Sequence, residues 1–147
     1  MTAEAAFGAD LSRRIELYFS RHGVADVIWD AQRNVVHIEA KGWADTAESH
    51  PVLDSAMQAM KDHEGSRWLF DGRDMEAVKP SELQRLIDVW LPRALAAGLR
   101  VAAIVMPRSD SAVKNIDDMA RAAEGEVVVR YFSSVENARN WLATSAP

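Results

Sequence analysis

The first forty residues carry the alternation and turn signals of β-structure. Apolar Ile15, Leu17 and Phe19 alternate with more polar residues, which predicts a half-exposed strand with these three side chains on one face. Two further apolar runs, residues 24–30 and 34–42, flank the turn-like stretch DAQRN and predict an antiparallel hairpin. We therefore expect the chain to open with three strands.

A helical period begins near residue 51. Pro51 suits the first turn of a helix, and apolar residues then recur at helical spacing until Gly65 provides a stop. The short run RWLF follows and predicts a strand. One amphipathic helix and one strand thus succeed the hairpin.

The most regular apolar stripe of the chain runs from Leu83 to Leu95 and predicts a second helix. Pro92 lies inside this stripe, where it lacks an N–H and clashes with the preceding turn. We expect the helix to bend or restart near Trp90, and such a bend would shape a groove.

The C-terminal half continues the alternation of strands and helices. The unbroken apolar run from Val101 to Met106 predicts a parallel strand covered on both faces, which we place at the sheet centre. We then predict a helix that ends at Gly125, the strand VVVRYF and a last helix. Ser133 and Glu136 have capping-box spacing at the start of this last helix.

This order predicts one α/β domain over residues 13–145, preceded by a flexible tail over residues 1–12. Its single mixed sheet is expected to combine the N-terminal antiparallel hairpin with parallel strands, joined by right-handed crossovers, and to carry about four helices.

Composition and charge limit the classes of partner that we expect. The 147 residues fit one domain, and 17 basic against 22 acidic residues give a net charge of −5 without a run of like charge. We therefore expect no nucleic-acid partner and no membrane insertion. The chain has no cysteine, which excludes disulfides and thiolate chemistry. Its N-terminus has no basic start and no long apolar run, so we expect a cytoplasmic protein.

Two polar loops follow neighbouring predicted strands. In an open α/β sheet, ligands bind beyond the carboxyl ends of the strands, so these loops would line one crevice. Their spacing matches no standard metal loop, and pairing of Asp74 with a nearby arginine explains the charges more simply. The candidate binding residues are Asp71, Arg73, Asp74 and Glu76 in the first loop and Arg108, Ser109 and Asp110 in the second.

Three further residues are candidates for binding. Ser81 has capping-box spacing to Gln84, so we expect it to cap the second helix, with phosphorylation there as an alternative hypothesis. Trp43 follows a glycine and would mark a contact surface if exposed, although a core position is the simpler expectation. Trp90 would line the groove at the helix bend. The four histidines fall in separate segments, so we predict no metal site and no cofactor.

Three stretches, in this order, resemble the STAS family, the fold of bacterial anti-sigma-factor antagonists, and more closely its divergent SpoIIAA-like members. They are VVHIEAKGWAD, WLFDGRDM and VVVRYFSSVENARNWL. The resemblance covers roughly residues 12 to 143 and implies a non-enzymatic domain that binds a protein or a ligand.

The resemblance departs at the phosphorylation site. Signalling members of the family carry a phosphorylatable serine directly after the aspartate that ends the strand. Asp71 matches that aspartate, but Gly72 and Arg73 occupy the next two places. The resemblance therefore does not carry the phosphorylation switch over to this chain.

Three functions follow as hypotheses. The first is a protein-interaction module of bacterial regulation. The second is the binding of a small apolar ligand or lipid between the sheet and the bent helix. The third is a hydrolase that uses Asp71 and Asp74. A homodimer through the exposed hairpin edge is a further possibility.

Overall fold

The computed structural model describes residues 15–42 and 46–144. The predicted tail, residues 1–12, lies outside this part of the chain. The described residues form six strands and four helices. The strands are β1 Ile15–Arg21, β2 Ala25–Asp30, β3 Val35–Ala40, β4 Arg67–Asp71, β5 Val101–Val105 and β6 Val128–Phe132. The helices are α1 Thr46–His63, α2 with successive segments Pro80–Arg85, Leu86–Trp90 and Leu91–Ala96, α3 Asp110–Ala122 and α4 Val135–Thr144.

The strands form one sheet in the order β1-β2-β3-β4-β5-β6. The pairs β1–β2 and β2–β3 are antiparallel, and the remaining three pairs are parallel. The predicted α/β fold with a single mixed sheet is confirmed. The placement of the run from Val101 at the sheet centre is wrong, since β5 is the fifth of six strands.

Two hydrophobic cores explain the apolar sequence of β5. Ala102 and Ile104 belong to the larger core, which packs under α1, α2 and α3. Val101, Ala103 and Val105 belong to the smaller core, which α4 covers with Ala138 and Leu142. An unbroken apolar strand therefore reports burial on both faces, not a central position in the sheet.

The predicted single apolar face of β1 is also wrong. The pairing shifts from Leu17 opposite Ile28 to Phe19 opposite Val27, so a β-bulge inserts one residue between them. The bulge turns Phe19 onto the larger core, while Leu17 remains exposed.

The helices differ from prediction at their ends. Helix α1 begins at Thr46, so Pro51 lies inside it instead of opening it. The cap of α4 is Ser134, whose Oγ accepts a hydrogen bond from the Asn137 N–H at 3.1 Å, and not Ser133.

The expected irregularity before Pro92 is present. Residues Leu86–Trp90 form a π-helical segment, and the Leu91 N–H donates to the carbonyl of Leu86, five residues earlier. Such a segment accommodates the missing N–H of Pro92 without ending the helix.

Candidate functional site

The loops after β4 and β5 meet at one edge of the sheet. The Gly72 N–H donates to the carbonyl of Val105 at 2.9 Å. Arg108 reaches across from the second loop, where its Nη1 donates to the carbonyl of Arg73 at 3.2 Å and pairs with the Asp74 carboxylate. The predicted pairing of Asp74 with an arginine is therefore confirmed. We call the surface formed by residues 71–76 and 108–110 the rim.

Asp71 ends β4 as a buried carboxylate bound on both oxygens by one arginine. Arg73 Nε lies 2.9 Å from Oδ1 and Nη2 lies 2.8 Å from Oδ2. Burial would raise the pKa of Asp71, but the hydrogen bonds and the charge of Arg73 outweigh it and hold that pKa below its ordinary value. Asp71 is therefore a fixed anion that orients Arg73.

The first loop is anchored on both sides. Met75 and Val78 are buried, and the Val78 N–H donates to Asn115 Oδ1 of α3 at 2.9 Å. Asp74 and Glu76, on either side of Met75, are exposed. The loop thus presents its charges from a backbone that packing and hydrogen bonding hold in place.

The second loop begins α3. Ser109 Oγ accepts a hydrogen bond from the Ala112 N–H at 3.2 Å, so this hydroxyl caps the helix. Asp110 is exposed in the first turn, where a negative charge interacts favourably with the helix dipole. Both residues therefore have a structural role in addition to their position on the rim.

Ser81 does not cap α2. Lys79 is the residue before the helix and Pro80 is its first residue, which leaves Ser81 in the second helical position. Gln84 bonds Asp88 instead of reaching back to Ser81. Ser81 is exposed, beside the rim in sequence but outside the contacts that join the two loops.

The structure describes one of the two candidate tryptophans. Trp43 lies outside the described residues. Trp90 is buried, with 6% of its surface exposed, and lines an apolar cavity of about 120 Å³ between the sheet and helices α2 and α3. The cavity walls include Trp68, Phe70, Leu86, Ile104, Ile116 and Met119.

Sequence reasoning missed that Asp71 of the rim ends a row of three carboxylates. Asp26 pairs with Glu39 across β2 and β3, and Glu39 pairs with Asp71 across β3 and β4, so all three share one face of the sheet. Lys41 lies 2.7 Å from Asp26, and its hydrogen bond is the main reason that the pKa of Asp26 is lowered. Only the strand register reveals this row.

A buried pair between helices was missed as well. Ser49 of α1 donates to Glu82 of α2 at 2.6 Å, and both side chains are buried. Helical periodicity predicts that both helices bury one face, but it does not predict which polar residues meet there.

His37 lies on β3, on the same face as the carboxylate row. Its Nε2 is buried and has no hydrogen-bond partner in the described part of the chain. Burial, followed by the charge of Arg139, lowers the pKa of His37 to about 4. The described residues contain no group of three or more His, Asp or Glu side chains that could hold a metal ion.

Within residues 15–42 and 46–144, no helix is long and apolar enough to cross a membrane. No individual curated protein is similar enough to the chain to count as a match. The family model described as SpoIIAA-like matches residues 35–143, which include the rim and the cavity walls. The chain belongs to the SpoIIAA-like family, whose fold is of STAS type.

Proposed function

We propose that this chain is a cytoplasmic protein-interaction module of bacterial regulation, and that the rim is its docking surface. The observation that supports the proposal is the contact of Arg108 with the other loop, because it joins two loops into one surface. The Arg108 side chain is 71% exposed and that of Asp74 is 59% exposed, so both remain accessible to a partner.

The charges of the rim suit recognition better than catalysis. Exposed ion pairs contribute little to folding stability, whereas charges of both signs on a surface select a partner of complementary pattern and accelerate its association. Asp71, the first carboxylate of the hydrolase hypothesis, has both oxygens bound by Arg73 and a lowered pKa. It is therefore a poor proton acceptor.

Gly72 occupies the position at which signalling members of the family carry the phosphorylatable serine. A Cβ atom at Gly72 would lie 2.9 Å from the Phe70 ring and 3.1 Å from the carbonyl of Val105. A serine at this position would displace one of these neighbours. We therefore propose that the rim recognises its partner through its fixed charges and not through phosphorylation at position 72.

A charge reversal with a matched control tests the proposal. Arg108→Glu removes the contacts of Arg108 with the first loop. Arg121→Glu reverses the charge of an arginine of similar exposure at the far end of α3, which pairs with Asp117. Each tagged variant is expressed at native level in the host that carries the gene, and co-purified proteins are quantified by mass spectrometry.

We expect one regulatory protein to co-purify equally with the wild-type chain and with Arg121→Glu. The amount recovered with Arg108→Glu should be lower by at least about tenfold. A partner retained equally by all three chains would show that the rim is not the docking surface. Recovery of no specific partner under any growth condition would contradict the interaction itself.

The cavity favours a second function, the binding of a small apolar ligand. Its walls are almost entirely apolar, and its position beside the π-helical segment of α2 corresponds to the expected groove around Trp90. Protein purified from its own host without detergent is extracted with organic solvent and analysed by mass spectrometry. We expect a small apolar compound in stoichiometric amount, and an empty extract would argue against this function.

A further inference from the structure

Large apolar side chains are exposed mainly on the two edge strands of the sheet. Five such side chains are exposed among the described residues, and four of them lie on β1 or β6, namely Ile15, Leu17, Val128 and Tyr131. An edge strand also presents N–H and C=O groups that no neighbouring strand binds, which makes it a template for pairing with another chain. Both edges are therefore candidates for association.

Strand β1 has two features that oppose such pairing. A β-bulge interrupts its register between Leu17 and Phe19. The strand also contains Glu16 and Arg21, which are both exposed. Bulges and charged side chains on an edge strand prevent edge-to-edge association. The hairpin edge is therefore the less suitable of the two, although the sequence suggested it as a dimer contact.

Strand β6 has a regular edge. It pairs with β5 in an unbroken register over Val128–Phe132. Its sequence, VVRYF, contains no proline or glycine, and Arg130 is its only charged residue. The other four residues are β-branched or aromatic, and these residue types fit best beside a neighbouring strand. The edge of β6 is therefore suited to the addition of a further strand.

The outer side of β6 offers backbone groups for such a strand. The Val128 N–H and the Phe132 carbonyl each form a hydrogen bond of 2.9 Å with the residues that flank β5. Successive residues of a strand direct their backbone groups to opposite sides, so Val129 and Tyr131 direct theirs away from β5. These two residues therefore present donors and acceptors along the open edge.

A second copy of the same strand matches this edge. If two β6 strands run antiparallel about a two-fold axis at Tyr131, the two Tyr131 side chains lie opposite each other, and Arg130 lies opposite Phe132 on both sides of the axis. Cross-strand aromatic pairs stabilise antiparallel strands. The guanidinium carbon of Arg130 already lies 6.0 Å from the Phe132 ring centroid of its own chain, so a second Phe132 adds a cation–π contact of the same kind. A two-fold axis at Arg130 would instead oppose two like charges, which is unfavourable.

We propose that two copies of this chain associate edge to edge through β6, antiparallel and with the two-fold axis at Tyr131, so that their sheets become one continuous sheet. The inference goes beyond the functions proposed above, because it uses neither the rim contacts nor the cavity. A strand of five residues makes a small interface, and small interfaces belong to weak, reversible complexes. We therefore expect the dimer to dissociate on dilution.

Sedimentation equilibrium of the purified chain between about 5 and about 500 µM measures the dissociation constant of a weak dimer. Tyr131→Lys places two like charges opposite each other at the axis. Ile15→Lys is the matched control, because Ile15 is 41% exposed and Tyr131 is 40% exposed, and it adds the same charge to the other edge of the sheet. Tyr131→Asp is measured alone and in an equimolar mixture with Tyr131→Lys.

We expect the wild-type chain and Ile15→Lys to form a reversible dimer with the same dissociation constant. Tyr131→Lys and Tyr131→Asp alone should each raise that constant at least about tenfold, and their mixture should restore the dimer, because opposite charges then face each other. A wild-type chain that stays monomeric throughout this range overturns the proposal and leaves the β6 edge to a different chain. Dimers that Tyr131→Lys leaves intact overturn it as well, and so does a mixture that is no more dimeric than its components.

Amide hydrogen exchange of the wild-type chain decides the question even if the variants do not fold. The Tyr131 N–H should exchange more slowly as the protein concentration rises, because the dimer gives it a hydrogen-bond acceptor. The Arg130 N–H faces β5 and should change far less. An exchange rate of Tyr131 that does not slow relative to that of Arg130 would refute the pairing of β6 with a second copy.

Discussion

Acid should destabilise this protein through His37, well before its carboxylates are protonated. The ring lies in cross-strand register with Ile28 and Leu69, and its environment lowers its pKa to about 4, from an ordinary value of 6.5. Burial is the larger cause, and the positive charge of Arg139 adds to it. The folded chain therefore keeps His37 neutral at a pH where the unfolded chain binds a proton.

The sign and size of the effect follow from linkage. Between about pH 6.5 and about pH 4 the unfolded state binds more protons than the folded state, so the free energy of unfolding decreases as the pH is lowered. The decrease ends near pH 4, where His37 of the folded state is protonated as well. The difference between 6.5 and about 4, at about 1.36 kcal/mol per pH unit, sets a maximum loss of about 3 kcal/mol. At pH 5 the same relation gives about 2 kcal/mol.

Urea unfolding at pH 7.5 and pH 5 measures the effect in the wild-type chain and in His37→Gln, because the glutamine side chain does not titrate. Carboxylates contribute little between these values, because their ordinary pKa values lie near 4. We expect the wild-type chain to lose about 2 kcal/mol more than the variant between the two pH values. His22→Gln, in the exposed turn between β1 and β2, is the control and should behave as wild type. An equal loss in the wild-type chain and in His37→Gln would refute the reasoning.

Three further substitutions test local features by urea unfolding at pH 7.5. Gly72→Ser should lower the free energy of unfolding by about 1–3 kcal/mol, because its Cβ would lie 2.9 Å from the Phe70 ring. Glu64→Gly should raise it by up to about 1 kcal/mol, since residue 64 has a φ of 52° at the end of α1, where glycine is favoured. Ser49→Ala should lower it by about 1.5–3 kcal/mol, because it removes a buried hydrogen bond to the Glu82 carboxylate.

Each of these substitutions has a matched control. Ala77→Ser adds the same hydroxyl at an exposed position of the same loop and should cost little. Asn34→Gly, at a φ of 54°, should stabilise less than Glu64→Gly, because asparagine tolerates this conformation. Ser55→Ala removes a hydrogen bond to the uncharged carbonyl of Pro51 and should cost less than Ser49→Ala. A reversed order within any pair would contradict the cause given for it.

Features that depend on local pattern could be predicted from the sequence. The alternation of apolar runs determined the mixed sheet and the four helices, and Pro92 indicated the irregularity in α2. The two polar loops were expected to share one edge because parallel strands end together, and the contact of Arg108 with Asp74 agrees with this expectation.

Features that depend on register or on a shift of one residue could not be predicted. The bulge in β1 places Leu17 and Phe19 on different faces of the sheet, and no glycine or proline in the strand signals it. Ser81 and Ser133 have the spacing of caps, yet each lies one or two positions from the true helix boundary. Asp26 and Glu39 become neighbours only through strand pairing, and periodicity does not encode that pairing.

The bridge made by Arg108 has a consequence for how this surface can be imitated. Its contacts on the first loop, at Arg73 and Asp74, lie more than thirty positions away in the chain. A synthetic peptide that copies either segment alone lacks half of the epitope. Antibodies raised against the native fold at this place should therefore lose recognition on denaturing blots.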